Sequence, residues 1–160
     1  MSQAIAIRPV APLDHAPDDW REAARAEGYR FVDRLVCDWR SGANRFDGPG
    51  ETFLGAFDGD RLVAFGGVNR DPYMRGDIGR LRHVYVLPEW RRSGVGRRLV
   101  AALTAHAAPR FSRLRLRATD ERAARFYERM GFQVVAEPDA THAMDAPRPT
   151  ARRRETCRPL

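Results

Sequence analysis

The chain has 160 residues and a mass of 18.1 kDa, enough for one domain with a real core and too little for two ordinary ones. Its 43% hydrophobic and 31% charged residues are an ordinary globular composition, and no apolar run approaches the roughly 20 residues that a helical bilayer span requires. The formal charge is +7, of which residues 146–160, with five arginines against one glutamate, carry +4.

The amino terminus, MSQAIAIRPVAP, has neither a basic leader nor a long apolar segment, so cytoplasmic residence without a membrane partner is expected. AIAIRPV (residues 4–10) alternates and ends at a proline, which predicts a first strand. Residues 18–40 read as helix broken near Gly28, with Phe31, Val32, Leu35, Val36 and Trp39 on one face and Gly42 ending the run. ETFLGAFDGDRLVAFGGV predicts a hairpin about Asp58-Gly59-Asp60, and RLRHVYVL (residues 80–87) a fourth strand. A helix follows from about Gly94 to Ala107, its stripe made of Val95, Leu99, Ala102, Leu103 and His106.

RLRLRA (residues 113–118) alternates strictly, leucines one way and arginines the other. Arg113, Arg115 and Arg117 then form a solvated face or a surface for an acidic substrate. Asp120 caps a helix whose apolar face is Ala123, Phe126, Tyr127 and Met130, with Gly131 at its end. FQVV and THAM close the body as two short strands. The order β-α-α-β-β-β-α-β-α-β-β predicts a mixed sheet flanked by helices, with a right-handed parallel crossover between residues 80 and 118. Residues 146–160, with three prolines and no apolar periodicity, read as a disordered tail. All 28 basic residues are arginine, and no lysine occurs. Cys37 and Cys157 show no CxxC spacing and no neighbouring histidines, so neither a disulfide framework nor a zinc site is expected.

The stretch PEWRRSGVGRRL (residues 88–99) places two glycines where a strand hands over to a helix. Unpaired N–H groups at such a junction, with the helix dipole behind them, make an anion site. A side chain at Gly94 or Gly96 would stand between the amides and their ligand, and the surrounding arginines add charge, so a pyrophosphate is the expected guest. The P-loop pattern is missing, and Leu99 stands where a dinucleotide fingerprint needs its third glycine. The spacing alone also fits a mere tight turn, and Tyr127, on an apolar stripe, reads from spacing alone as a core residue.

Arg91-x-x-Gly94-x-Gly96 resembles the [RQ]xxGx[GA] signature of the GNAT acetyltransferase superfamily, and ERAARFYERMGF (residues 121–132) is similar to its second signature, a helix with A-x-x-F-Y ending at G-F. With the element order, the resemblance covers about residues 3–145. It implies a GNAT-like α/β fold of the acyl-CoA N-acyltransferase kind, a central mixed sheet with about four helices, in a domain over 1–145. It also implies that acetyl-CoA lies where the strands RLRHVYVL and RLRLRA part. Arg91, Arg92, Ser93, Gly94, Val95, Gly96 and Arg97 would then meet the pyrophosphate. The backbone of Val84, Tyr85 and Val86 would bond the pantetheine arm and the thioester carbonyl. Asp120 and Phe126 would flank the cofactor, and Tyr127 would be the general acid, with no metal required.

The implied function is N-acetyl transfer from acetyl-CoA to a primary amine of a small molecule, peptide or protein, by direct attack in a ternary complex. A non-catalytic acetyl-CoA-binding regulator, and transfer to an RNA-borne amine, stay open. Binding of nucleic acid as a main function lacks any signature beyond the basic tail, and a homodimer is compatible with the family. Two positions depart from the resemblance. Arg80 stands where relatives that acetylate protein lysines carry a glutamate base, so the base is unassigned among Asp77, Glu89 and a water relay. Asp120 stands where asparagine is usual. His83, in a regular strand, would face away from Arg82 and Val84 and read as a packed histidine. Acceptor specificity is expected from the first two helices and the loop SGANRFDGPG.

Overall fold

A computed structural model of the chain describes residues 4–11 and 18–146; Cys157 and the expected tail beyond Ala146 lie outside the described residues. Strands β1 (Ala6–Pro9), β2 (Thr52–Asp58), β3 (Arg61–Arg70), β4 (Ile78–Val86), β5 (Arg113–Leu116), β6 (Gln133–Glu137) and β7 (Ala140–Asp145) form one sheet in the order β1-β2-β3-β4-β5-β7-β6. The helices are α1 (Asp18–Ala26), α2 (Phe31–Ser41), α3 (Val95–Ala107) and α4 (Glu121–Arg129), with a 3-10 turn at Pro88–Trp90. This is the expected element order, and β4 with β5 is the parallel pair that the α3 crossover joins.

Each layer follows from where apolar side chains can be hidden. On α3, Leu99, Val100, Leu103 and Ala107 recur at helical spacing and are buried against β2, β3 and β4. Each buried leucine contributes about 1.5–3 kcal/mol. The stripe is rotated slightly from the sequence expectation. Val100 and Ala107 are inside, while His106 is exposed, its ring nitrogen 3.2 Å from the Glu51 carbonyl. On the other face of the sheet, α1 and α2 bury Trp20, Val32 and Leu35 against an aromatic cluster that includes Phe53, Phe65 and Tyr85. Gly42, in the left-handed region at φ 79°, ends α2 as its sequence position suggests. β1 is an edge strand, so the missing N–H of Pro9 costs no ladder bond.

Of the arginine face expected here, Arg117 is exposed beyond the end of β5, but Arg113 and Arg115 do not form a solvated surface. Arg115 is 0% exposed, with Asp71 at 3.2 Å and Glu137 at 3.1 Å from its guanidinium, and it donates to the Pro138 carbonyl. Arg113 pairs with Glu137, and Asp71, 1% exposed, also faces Arg80 at 3.6 Å. Alternation told correctly which way each side chain points. It could not tell that the β6–β7 hairpin and the start of the β3–β4 connection fold over the polar face and supply carboxylates there.

Two irregularities shape the centre of the sheet. Pairing between β4 and β5 stops at Arg80↔Arg115, while β4 continues to Val86. On its other side β4 pairs Tyr85 with Phe65 and Arg82 with Gly67. One extra residue is thereby accommodated on β4, a β-bulge that leaves His83 and Val84 without register partners. His83 takes φ 57° to make it. Gly66 lies opposite, and a Cβ there would meet the Val84 side chain at 2.9 Å, so only glycine admits the bulge this closely.

Candidate functional site

Because β4 and β5 part after Arg80, a cleft of about 1160 Å³ opens between them. β4 from Arg80 to Val86 forms one wall, and the end of β5 with α4 forms the other. The β4–α3 junction lies at one end. At the opposite end stand Phe31 and Arg34 of α2, Tyr73 of the β3–β4 loop and Asp139 of the β6–β7 turn.

The junction is built to expose donors. Arg92 and Gly94 both have positive φ, 60° and 86°, which turns the chain sharply from the 3-10 turn into α3. For Gly94, at the N-cap, this is the conformation glycine adopts without penalty, and a Cβ there would meet nothing within 4 Å. α3 starts without a side-chain cap, so its first N–H groups have no protein partner from that source. Gly96 differs from the sequence expectation in its reason. Its missing Cβ would face the Val86 side chain at 3.3 Å and Phe126 at 3.7 Å, so it serves the close packing of α3 on the cleft wall.

Most of the residues singled out from sequence line this cleft: Val84, Tyr85, Val86, Arg91, Arg92, Gly94, Gly96, Arg97, Asp120, Phe126 and Tyr127. Ser93 and Val95 do not. Ser93 donates its hydroxyl hydrogen to the Trp90 carbonyl, and the Val95 side chain is buried in the core. Only their backbone can face a ligand. The Arg91 guanidinium is already engaged: it donates to both Glu27 carboxylate oxygens at 2.6 and 2.9 Å and to the Val86 carbonyl at 3.1 Å. The hydrogen bonds that Arg91 donates and Glu27 accepts hold the Glu27 carboxyl below its usual range and raise the Arg91 guanidinium. Tyr85 donates to the same carboxylate; its burial, then that bond, push its phenol upward. Arg91 thus ties the junction to the residue that follows α1.

Tyr127 is 9% exposed, packed in edge contact with Phe126 and Phe132, and its hydroxyl makes no hydrogen bond among the described residues. Burial pushes its pKa up, so the phenol keeps its proton at neutral pH. Asp120 caps α4 by accepting from the Ala123 N–H at 2.8 Å, and it accepts a longer bond of 3.4 Å from the Tyr29 hydroxyl across the cleft.

His83, read from sequence as a packed histidine facing away from its neighbours, is packed and also lines the cleft. Its ring stacks on Phe31 at 5.9 Å and meets Phe46 edge-on at 6.2 Å, and its buried Nε2 has no hydrogen-bond partner among the described residues. Burial first, then the charges of Arg82 and Arg34, lower its pKa to about 3, so it is neutral. The bulge, invisible to an alternation argument, is what turns it. Neither carboxylate weighed as a base reaches the cleft: Asp77 is exposed beside Arg70 at 3.5 Å, and Glu89 is exposed and paired with Arg61 at 2.7 Å. Arg80 is buried, donates to the Asp139 carbonyl at 2.6 Å and lies over the Tyr73 ring. Sequence reasoning pointed to the first two helices, where Phe31 and Arg34 lie, but assigned neither to the site, and it missed Glu27, Tyr73 and Arg82; only charge and aromatic character marked them, and these are common features of surfaces. Among the described residues no cluster of side chains suited to a metal ion occurs, and no helix is long and apolar enough to cross a membrane.

Residues 13–132 match the model of the family described as "Acetyltransferase (GNAT) family". Among solved structures the chain is similar to one from Exiguobacterium sp. 255-15 to which acetyltransferase activity is ascribed, with 30% identity, TM-score 0.79 and coverage of 89% of this chain and 94% of that one. The yncA protein of Salmonella typhimurium, solved with acetyl-CoA, shares the fold at 15% identity, TM-score 0.68, over 93% and 98% of the two chains. So does the PaiA N-acetyltransferase of Thermoplasma acidophilum, solved with coenzyme A, at 20% identity, TM-score 0.59, over 89% and 98%. No curated protein matches the chain.

Proposed function

Since the chain belongs to the GNAT acetyltransferase family, we propose that it binds acetyl-CoA in the β4–β5 cleft and passes the acetyl group to a primary amine by direct attack in a ternary complex. The observation that carries this reading is the end of β4–β5 pairing at Arg80↔Arg115 beside an uncapped, glycine-turned start of α3. A parted sheet admits an extended pantetheine arm, and the junction amides with Arg92 and Arg97 suit its diphosphate. Related folds solved with acetyl-CoA and with coenzyme A support the same assignment.

The roles follow from position and charge. The amine nitrogen attacks the thioester carbon and forms the C–N bond, and the negative charge moves to the carbonyl oxygen. Backbone donors of the β4 bulge, where His83 and Val84 are released from the ladder, face that developing charge. When the C–S bond breaks, Tyr127 donates its hydroxyl proton to the departing thiolate and recovers one from solvent. The proton lost by the amine leaves through water. His83 Nε2, neutral and unpaired, orients the amine and does not retain its proton. The arginines near it disfavour an ammonium ion and so raise the fraction of free, nucleophilic amine.

Release of coenzyme A from acetyl-CoA, measured against amino acids, polyamines, aminoglycosides, peptides and aminoacylated RNA, tests the proposal. Release with one class supports transfer and identifies the acceptor. Tight cofactor binding without release on any amine would replace it with the regulator reading. A crystal soaked with acetyl-CoA that leaves the junction empty would remove both.

A further inference from the structure

Among the described residues, the cleft mouth opposite the α3 junction carries more cationic charge than carboxylates there pair. Ten described arginines line the cleft as a whole against two carboxylate side chains, Asp120 and Asp139. At this mouth Asp71 serves two guanidiniums at once, Arg115 at 3.2 Å and Arg80 at 3.6 Å. The Nη1 of Arg80, a side chain itself more than nine-tenths buried, makes no hydrogen bond among the described residues. Arg82 is half-buried and Arg34 exposed, both line the cleft, and neither forms a hydrogen bond or ion pair among the described residues. Asp38 acts on Arg82 only at longer range, while burial and the charges of Arg80 and Arg34 depress its guanidinium. The unpartnered Nε2 of His83 lies in the same wall.

Holding guanidiniums together without a counter-charge costs stability, and their planar forks match an oxyanion with two oxygens. From this juxtaposition of Arg34, Arg80 and Arg82 we infer that the acceptor is an amine that also carries an anionic group, a carboxylate or a phosphate. The inference rests on the acetyl-transfer reading for its direction: the cofactor diphosphate occupies the α3 end, so the acceptor enters from the α2 end. Arg82 and Arg34 hold the anion, Arg80 closes the site from below, and the amine is left beside the β4 bulge where the thioester carbonyl lies. A polyamine or an aminoglycoside would bring further positive charge to the same place and is excluded on that ground. Of the three arginines that the β5 alternation offered as an acidic-substrate surface, Arg113 and Arg115 are taken by Glu137 and Asp71, while Arg117 lines the cleft wall opposite β4.

The test pairs each anionic amine with its uncharged counterpart: α-amino acids with their amides, O-phosphoethanolamine with ethanolamine, and spermidine as a polycation. Coenzyme A release should give a kcat/KM at least about tenfold higher for the anionic member, as loss of a charge-assisted hydrogen bond implies. Whether the acids or the phosphate lead decides between carboxylate and phosphate. Arg34→Met and Arg82→Met should each shrink the preference by raising KM more than they lower kcat, and Arg34→Lys should restore part of it. Arg34 is exposed on α2, so its variants report even if the Arg82 variant does not fold. Equal turnover of acids and amides, or a preference unchanged in Arg34→Met, overturns the inference. If no amine is acetylated, calorimetric binding to the coenzyme A complex decides instead. Acids bound more tightly than amides, with the difference lost in Arg34→Met, uphold the subsite while rejecting transfer; no difference rejects the subsite too.

Discussion

Tyr127 presents a protonated phenol whose hydroxyl has no partner among the described residues, and that combination separates two roles that are usually entangled. As a core residue it contributes its ring, which Phe126 and Phe132 contact; as an acid it contributes the hydroxyl alone. Tyr127→Phe should therefore leave the melting temperature within about 1 °C, since the ring stays and the hydroxyl removed forms no hydrogen bond among the described residues. It should lower kcat by about 10²-fold or more with KM for acetyl-CoA nearly unchanged. Thermal melts and initial rates on one preparation check both, and unaltered turnover would return Tyr127 to a packing role. His83 makes a pH prediction. Its folded pKa of about 3 lies below the ordinary 6.5, so the unfolded chain takes up the proton first as pH falls. Its contribution to stability is whole above pH 6.5 and is lost progressively from there towards pH 3, by at most about 1.4 kcal/mol per pH unit. Urea unfolding of His83→Asn, a residue that tolerates the positive φ, should show a shallower decline over this range than the original protein.

The bulge in β4 and the shortness of β5 are properties of elements, and both create the cleft. β5 pairs over three residues with β4 and over four with β7, and its Arg115 is held in a buried network with Asp71 and Glu137. Asp71 is the hinge of that network, being fully buried and facing both Arg80 and Arg115. Asp71→Ala leaves two buried guanidiniums short of a counter-charge and should cost about 3–5 kcal/mol. Glu137→Ala removes a partly exposed partner and should cost less. Equilibrium denaturation ranks them, and equal costs would show that the network is not organised about Asp71. At this scale the sequence was legible where one element decides its own form: α3 from the spacing of Val95, Leu99 and Leu103, α4 from Asp120 and Gly131, and the hairpin from Asp58-Gly59-Asp60. It was not legible where a neighbour decides. Nothing local distinguishes His83 in a bulge from His83 in a regular strand, because the insertion is defined by register against β3 and the room left by Gly66.

For the molecule as a whole, a ligand that binds only the folded chain stabilises it. Acetyl-CoA at about 100 times its dissociation constant should add about 2.7 kcal/mol and raise the melting temperature by several degrees. The shift should shrink with added salt, since arginines and backbone amides meet the diphosphate. A calorimetric scan with no shift at any concentration would argue against the cleft as the cofactor site. The sequence by itself determined the fold class, the order of elements and the junction, because periodicity, glycine placement and the two signatures are written in residues close together along the chain. The tertiary structure decided the rest: that Arg115 is buried and paired, that Arg91 is held by Glu27, and that Arg34, Arg80 and Arg82 converge while Asp77 and Glu89 stay outside. Those outcomes depend on which side chains meet across the sheet after the chain has folded, and charge placed by residues far apart in sequence has no local signature.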